Sequence, residues 1–89
     1  MMSMPTMRYD RDREVVWVWP DHDTPYLVTR NAIEDLLDSR ERLSASELID
    51  ACEGHQTYFA SVAARKLVRG QVDPDGRAVV MTLDVTETD

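Results

Sequence analysis

The chain has 89 residues, of which 43% are hydrophobic, so its length allows one modest hydrophobic core and excludes a second one. Its 10 basic and 17 acidic residues give a net charge of −7, which argues against nucleic acid and anionic membranes as partners. Cys52 is the one cysteine, which excludes an intramolecular disulfide.

The two ends of the chain are the parts that we expect to be least ordered. We predict a flexible N-terminal arm over residues 1–8, one α+β domain over residues 9–85 and a flexible acidic tail over residues 86–89. The arm has no continuous apolar run, so we predict no signal peptide. Nor does any stretch reach the roughly 18 consecutive apolar residues that span a bilayer. With the lone cysteine, these absences predict a cytoplasmic protein.

The clearest predicted strand is Val15-Val16-Trp17-Val18-Trp19, because it is β-branched or aromatic throughout and Pro20 closes it. Both of its faces are apolar. Since indole rings contribute so much buried area, we expect Trp17 and Trp19 to face the core. Residues 26–29 predict a second strand, antiparallel to the first across a short loop.

Two helices are predicted to follow the second strand. The first has Thr29 or Asn31 as its N-cap and a buried stripe of Ile33, Leu36 and Leu37. The second has the stronger start signal, since Ser44 and Glu47 are spaced as a capping box.

The second helix is predicted to run to Arg69 and to stop at Gly70. Its basic residues Arg65, Lys66 and Arg69 complement the helix dipole, which explains the cluster without a ligand. Gly54 interrupts the pattern, which predicts either a helix that is kinked or divided near this glycine or another backbone that packs closely against it. We favour the intact helix with close packing.

The last predicted strand spans residues 77–85, after a turn that contains Pro74 and Gly76. The order is therefore strand, strand, helix, helix, strand. This order predicts an α+β fold, a two-layer sandwich in which two helices pack on one face of a small antiparallel sheet.

The layout and the hydrophobic pattern resemble a small bacterial family catalogued as domain of unknown function fourteen eighty-eight. The resemblance covers Tyr9 to Val85 and is carried by these segments: residues 16–19, residues 26–33, Leu48, residues 55–59 and residues 63–67. It implies a short, stand-alone protein with the same order of elements. The family has no defined activity, cofactor or functional residue, so the resemblance implies none here.

Cys52 and His55 are the residues that most resemble an enzyme site, because a spacing of three places both on one helix face. An imidazole could activate the thiol, or the pair could bind a metal with His22 as a further ligand. The simpler interpretation is a buried cysteine beside a hydrogen-bonded histidine. We prefer it, and we predict no catalytic residue, metal or cofactor.

An aromatic interaction surface is the other candidate site, made from Trp17, Trp19, Tyr26 and Tyr58. Tryptophan and tyrosine are enriched at interface hot spots. If these side chains face outward, a protein partner or a second copy must cover them, since large exposed apolar patches are rare in monomers.

These features support three functional hypotheses. We prefer a non-enzymatic accessory or protein-interaction module, which could associate with itself. The first alternative is a small enzyme or metal protein that uses Cys52, His55 and His22. The second alternative is a nucleic-acid-linked regulator, in which Arg65, Lys66 and Arg69 join Arg30 or Arg40 in a local basic face.

Overall fold

Four strands and four helices make up the parts of the chain that the computed structural model describes, residues 6–20 and 24–86. In chain order they are β1 (Thr6–Asp10), β2 (Val15–Trp19), β3 (Tyr26–Thr29), α1 (Arg30–Leu36), α2 (Ala45–Gly54), α3 (Gln56–Val68), β4 (Val79–Val80) and α4 (Thr82–Thr86). The strands form one sheet in the order β1-β2-β3-β4. The predicted α+β class is confirmed.

The sheet is mixed, whereas the sequence predicted an antiparallel one. Strands β1, β2 and β3 pair antiparallel as a meander, and β4 pairs parallel to β3. The parallel pair arises because α1, α2 and α3 all lie between β3 and β4 in the chain, and such a connection returns the chain in the original direction.

Strand β1 overlaps the predicted N-terminal arm of residues 1–8. Residues 6–8 belong to this strand, so the predicted boundary of the arm is wrong. Met7 and Tyr9 of this strand pack against the core, while the alternate residues Thr6, Arg8 and Asp10 are polar. The turn after β1 is held by Asp10, whose carboxylate accepts hydrogen bonds from the backbone amides of Asp12 and Arg13. Residues 1–5 lie outside the described part of the chain.

The predicted helix over residues 45–69 is two helices. Ser44 and Glu47 form the predicted capping box, with the Glu47 amide 3.2 Å from the Ser44 hydroxyl. However, α2 ends at Gly54, and His55 (φ −121°, ψ 25°) breaks the helix before α3 begins. Close packing at Gly54 was the wrong explanation, because a Cβ built there has no neighbour within 4 Å.

The predicted last strand, residues 77–85, is also corrected, since only Val79 and Val80 are β-strand and α4 follows. Asp84 explains the change of structure. Its carboxylate accepts hydrogen bonds from the Met81 amide at 2.8 Å and from the Lys66 ammonium at 2.7 Å, which stabilise the start of a helix there. Of the predicted tail, Thr86 belongs to α4, and residues 87–89 lie outside the described part.

The core brings the three longer helices and the sheet together. Its largest fully buried side chains come from both: Phe59, Ile33 and Leu48 from helices, and Val16, Val18, Val28 and Val80 from strands. Thr29 caps α1 through its hydroxyl, as one of the two predictions for that helix had it. Since Val16 and Val18 point into this core, the alternating residues of β2 point to the other face of the sheet.

Candidate functional site

Trp17 and Trp19 lie on the face of the sheet opposite Val16 and Val18, which corrects the expectation that they fill the core. Both indoles are partly exposed, and neither belongs to the buried core cluster. The rings stack, with centroids 5.7 Å apart and planes 14° from parallel. A stacked pair of rings on one strand is the expected arrangement for residues two apart, since both side chains leave the same face.

The tryptophan pair lies beside polar residues of β1 and of the turn after it. The register sets Arg8 opposite Trp17 and Asp10 opposite Val15, so these side chains share one face. A cleft of about 380 Å³ is lined by Arg8, Asp10, Asp12, Trp17 and Trp19. We call the surface formed by these five residues the tryptophan face.

Neighbouring side chains hold the Trp17 ring in place. Its Nε1 donates a hydrogen bond to Asp10 Oδ2 at 3.2 Å. The guanidinium carbons of Arg77 and Arg13 lie 4.9 and 5.8 Å from the ring centroid, within the range of cation–π attraction. The hydrogen bond from Trp17, followed by the amide of Arg13, lowers the pKa of Asp10, so its carboxylate is ionised at neutral pH.

The other members of the predicted aromatic surface lie elsewhere. Tyr26 is buried on the core side of the sheet, and desolvation raises its pKa to about 12. Tyr58 is partly buried in α3 and packs against Phe59. Thus the structure brings together Trp17 and Trp19 but not the two tyrosines. Sequence reasoning missed Arg8, Asp10 and Asp12, because they join the site only through the β1–β2 pairing.

The Cys52 thiol lacks the environment of an activated nucleophile. It is 1% exposed, and burial raises its pKa to about 12, whereas activation requires a lowered one. His55 is exposed at the break between α2 and α3, and its ring lies 6.3 Å from that of Phe59 at an interplanar angle of 67°. His22 lies outside the described residues. Within residues 6–20 and 24–86, no three side chains of His, Cys, Asp or Glu cluster as a metal site would require.

The three basic residues at the end of α3 differ in exposure, since Lys66 is buried while Arg65 and Arg69 are exposed. Lys66 is 7% exposed, and its ammonium is used by Asp84 Oδ2 and by the Val79 carbonyl, each at 2.7 Å. Arg65 and Arg69 are exposed, but Arg30 is buried against Tyr9. Lys66 and Arg30 are thus buried members of the predicted basic face, whereas Arg40 is exposed, and the regulatory hypothesis stays a prediction.

A second cleft lies between the end of α3 and α4 and measures about 600 Å³. We call it the aliphatic cleft, after the side chains of Val72, Val79, Met81 and Leu83 in its lining. Its buried charge is satisfied internally by the Lys66–Asp84 ion pair. The tryptophan face differs in this respect, because neither Arg8 nor Asp12 forms an ion pair with another described residue.

Fold and site together define a small α+β domain with a four-stranded mixed sheet and two tryptophans on the sheet surface. Comparisons with protein-family models, with curated proteins and with solved structures return no match for this chain. The resemblance to domain of unknown function fourteen eighty-eight stays a prediction. None of the helices in the described parts is long and apolar enough to span a bilayer.

Proposed function

We propose that this chain is a non-enzymatic protein-interaction module that binds its partner through the tryptophan face. One observation carries the proposal, namely the stacking of Trp17 and Trp19 outside the core cluster, on the sheet surface. Tryptophan side chains dominate interface energetics, because each ring buries a large apolar area and retains few rotatable bonds.

The fixed orientation of Trp17 adds to the argument. Association costs free energy for every side chain that must be ordered at the interface, about 0.5–1.5 kcal/mol for a flexible one. Asp10 and Arg77 already hold the Trp17 ring, so little of this cost remains when a partner binds. A surface ordered in the free protein is what a binding module requires.

The same proposal gives a role to each layer of the molecule. The helices cover the sheet face of Val16 and Val18 in a two-layer arrangement, and the opposite face serves binding. The buried Cys52 contributes to the core and not to catalysis. We further propose a cytoplasmic location, supported by the lone cysteine, and membership of the family that the sequence resembles, supported by the hydrophobic pattern of residues 16–19 and 26–33.

The proposal is tested by affinity capture from the native host, in which the wild-type chain is compared with Trp19→Thr. Threonine keeps the β-propensity of the position but removes the indole. The matched control is Leu83→Thr, which alters the aliphatic cleft through a residue that is 67% exposed. We expect Trp19→Thr to lose the partner, and Leu83→Thr to retain it, with circular dichroism showing that both fold. Loss through Leu83→Thr alone would move the binding surface to the aliphatic cleft and overturn the proposal.

A further inference from the structure

The aliphatic cleft gathers apolar side chains that water reaches. Val72, Met81 and Leu83 line it, and each of them is at least 40% exposed. Val79 lines it as well and is partly exposed. Apolar groups left exposed around a concave site are typical of ligand binding. The volume of about 600 Å³ lies within the roughly 300–1,000 Å³ of small-molecule sites, so the cleft has room for a small aliphatic chain.

The Lys66 ammonium presents an unused hydrogen-bond donor at this cleft. A lysine ammonium has three N–H donors, and two of them are bonded at 2.7 Å, to the Val79 carbonyl and to Asp84 Oδ2. The third has no partner in the described parts of the chain, although the Lys66 side chain is only 8% exposed. A buried donor without a partner costs free energy, so a ligand atom that accepts from this N–H is favoured.

Asp84 presents an acceptor beside that donor. Its Oδ2 accepts from Lys66 Nζ and from the Met81 amide, whereas Oδ1 accepts from no residue within 6–20 and 24–86. Because both oxygens belong to one carboxylate and Oδ2 is 2.7 Å from Nζ, a single ligand oxygen can lie within hydrogen-bond distance of both Nζ and Oδ1. A hydroxyl group meets this requirement, since it accepts one hydrogen bond and donates another.

The charges of the lining favour a neutral head group on the ligand. Lys66 and Asp84 neutralise each other, and Asp73 adds one negative charge. A carboxylate head would meet two aspartates, and an ammonium head would meet Lys66. Either charged head would also lose part of its hydration on entering the cleft. A hydroxyl head avoids both penalties.

From these contacts we infer that the aliphatic cleft binds a small aliphatic alcohol. The hydroxyl lies between Lys66 and Asp84, and the chain lies along Val72, Met81 and Leu83. This ligand site is additional to the protein-binding surface, because the tryptophan face and the aliphatic cleft share no lining residue. Failure of either proposal therefore leaves the other standing.

A series of ligands tests the inference on the wild-type chain. Binding of 1-butanol, 1-pentanol and 1-hexanol is measured by ¹⁵N NMR from the shifts of the Met81 and Leu83 amides. Burial of a methylene strengthens binding by at most about fourfold, so we expect the affinity to rise about two- to fourfold with each added carbon. Hexanoate and hexylammonium have the same chain length as 1-hexanol, and we expect them to bind about tenfold more weakly.

Two results of the series would overturn the inference. One is the absence of saturable shifts at Met81 and Leu83 with 1-hexanol up to its solubility limit. The other is binding of hexanoate or hexylammonium as tightly as 1-hexanol, which would show that the head group is not recognised between Lys66 and Asp84.

Asp84→Asn tests the position of the head group. Asparagine keeps a carbonyl oxygen for Lys66 and the Met81 amide, but it replaces the free oxygen with an NH₂ donor and removes the negative charge. The site then offers donors only, so we expect hexanoate to bind more tightly than 1-hexanol. An unchanged order in a variant that circular dichroism shows to be folded contradicts the inference. If the variant does not fold, the ligand series on the wild-type chain decides.

Val72→Thr and Val68→Thr form a matched pair that tests the position of the chain. Threonine has the shape of valine, but it replaces a methyl group with a hydroxyl. Val72 lines the cleft, whereas Val68 is exposed at the end of α3 and does not line it. We expect the affinity for 1-hexanol to fall about threefold in Val72→Thr and to stay unchanged in Val68→Thr. Equal effects of the two substitutions would refute this site.

Discussion

The Arg30 guanidinium donates two hydrogen bonds to the hydroxyl of Tyr9, from Nη2 at 2.8 Å and from Nε at 3.2 Å. Arg30 begins α1 and Tyr9 lies in β1, so this contact ties the first helix to the edge strand that carries Arg8. The remaining Nη1 donates to the Leu43 carbonyl at 2.8 Å and to Glu34 Oε2 at 3.3 Å, so every nitrogen of this buried guanidinium has a partner.

Replacing Tyr9 with Phe is expected to destabilise the domain. The substitution removes the acceptor and leaves two donors of buried Arg30 without a partner, which costs about 1–3 kcal/mol. Urea unfolding measures the change. The control is Tyr58→Phe, because the buried Tyr58 hydroxyl has no hydrogen-bond partner among the described residues. We expect Tyr58→Phe to leave the free energy of unfolding unchanged or to raise it by up to about 1 kcal/mol. Equal losses in both variants would contradict the contact.

Gly54 and Gly70 make a second matched pair. Gly54 ends α2 with open space around its Cα and no positive φ, so Gly54→Ala is expected to stabilise the fold by about 0.4–1 kcal/mol. Gly70 has φ +72°, a conformation that costs alanine about 1–2 kcal/mol, so Gly70→Ala is expected to destabilise it. Thermal unfolding compares the two variants. A stability loss from Gly54→Ala would mean that the helix break needs glycine.

Asp10 is expected to contribute to stability in a pH-dependent way. Because the pKa of Asp10 is lowered in the folded chain, chiefly by Trp17, its contribution is complete above the unfolded pKa of about 3.9. The contribution is lost as the pH falls through the lower folded value. Asp10→Asn should therefore lose less stability than the wild type as the pH falls below about 4. Urea midpoints measured against pH test this expectation. Trp17→Phe removes the hydrogen-bond donor, so like Asp10→Asn it should show a smaller fall in the urea midpoint at acid pH than the wild type. Identical acid slopes in all three proteins would refute the role of the Trp17–Asp10 hydrogen bond.

Cys52 is expected to be unreactive in the folded protein. With its pKa raised to about 12 by burial, almost all of the side chain is neutral thiol at pH 7.5. A thiol-specific reagent such as 5,5′-dithiobis(2-nitrobenzoate) should label it fully in urea but only slowly in buffer. Native labelling as fast as that of a free thiol would return Cys52 and His55 to consideration as an enzyme site.

The elements predicted from sequence are those whose signals are local. Strand β2 is continuous in β-branched and aromatic residues, and the cap of α2 lies within four consecutive residues. Strand β1 and helix α4 depend on distant partners instead. Residues 6–8 become a strand by pairing with β2, and Asp84 starts α4 while it is paired with Lys66, 18 residues away.

The same reason limits how much of the site could be predicted. The alternation along β2 places Trp17 and Trp19 on one face, but both faces of the strand are apolar. Which face meets the helices is decided by how Phe59, Leu48 and their neighbours pack, and no local pattern records that. Arg8 and Asp12 join the site only through the tertiary pairing of β1.

The most direct measurement of the central claim uses ¹⁵N NMR spectra of the chain. Trp17 and Trp19 are its only tryptophans, so its two indole N–H signals both report on the tryptophan face. The spectra are recorded as the captured partner is added, or as the chain concentration is raised. We expect both indole signals and the Arg8 amide to shift together, while the amides of Met81 and Leu83 stay in place. Shifts at Met81 and Leu83, with indole signals that do not move, would contradict the account.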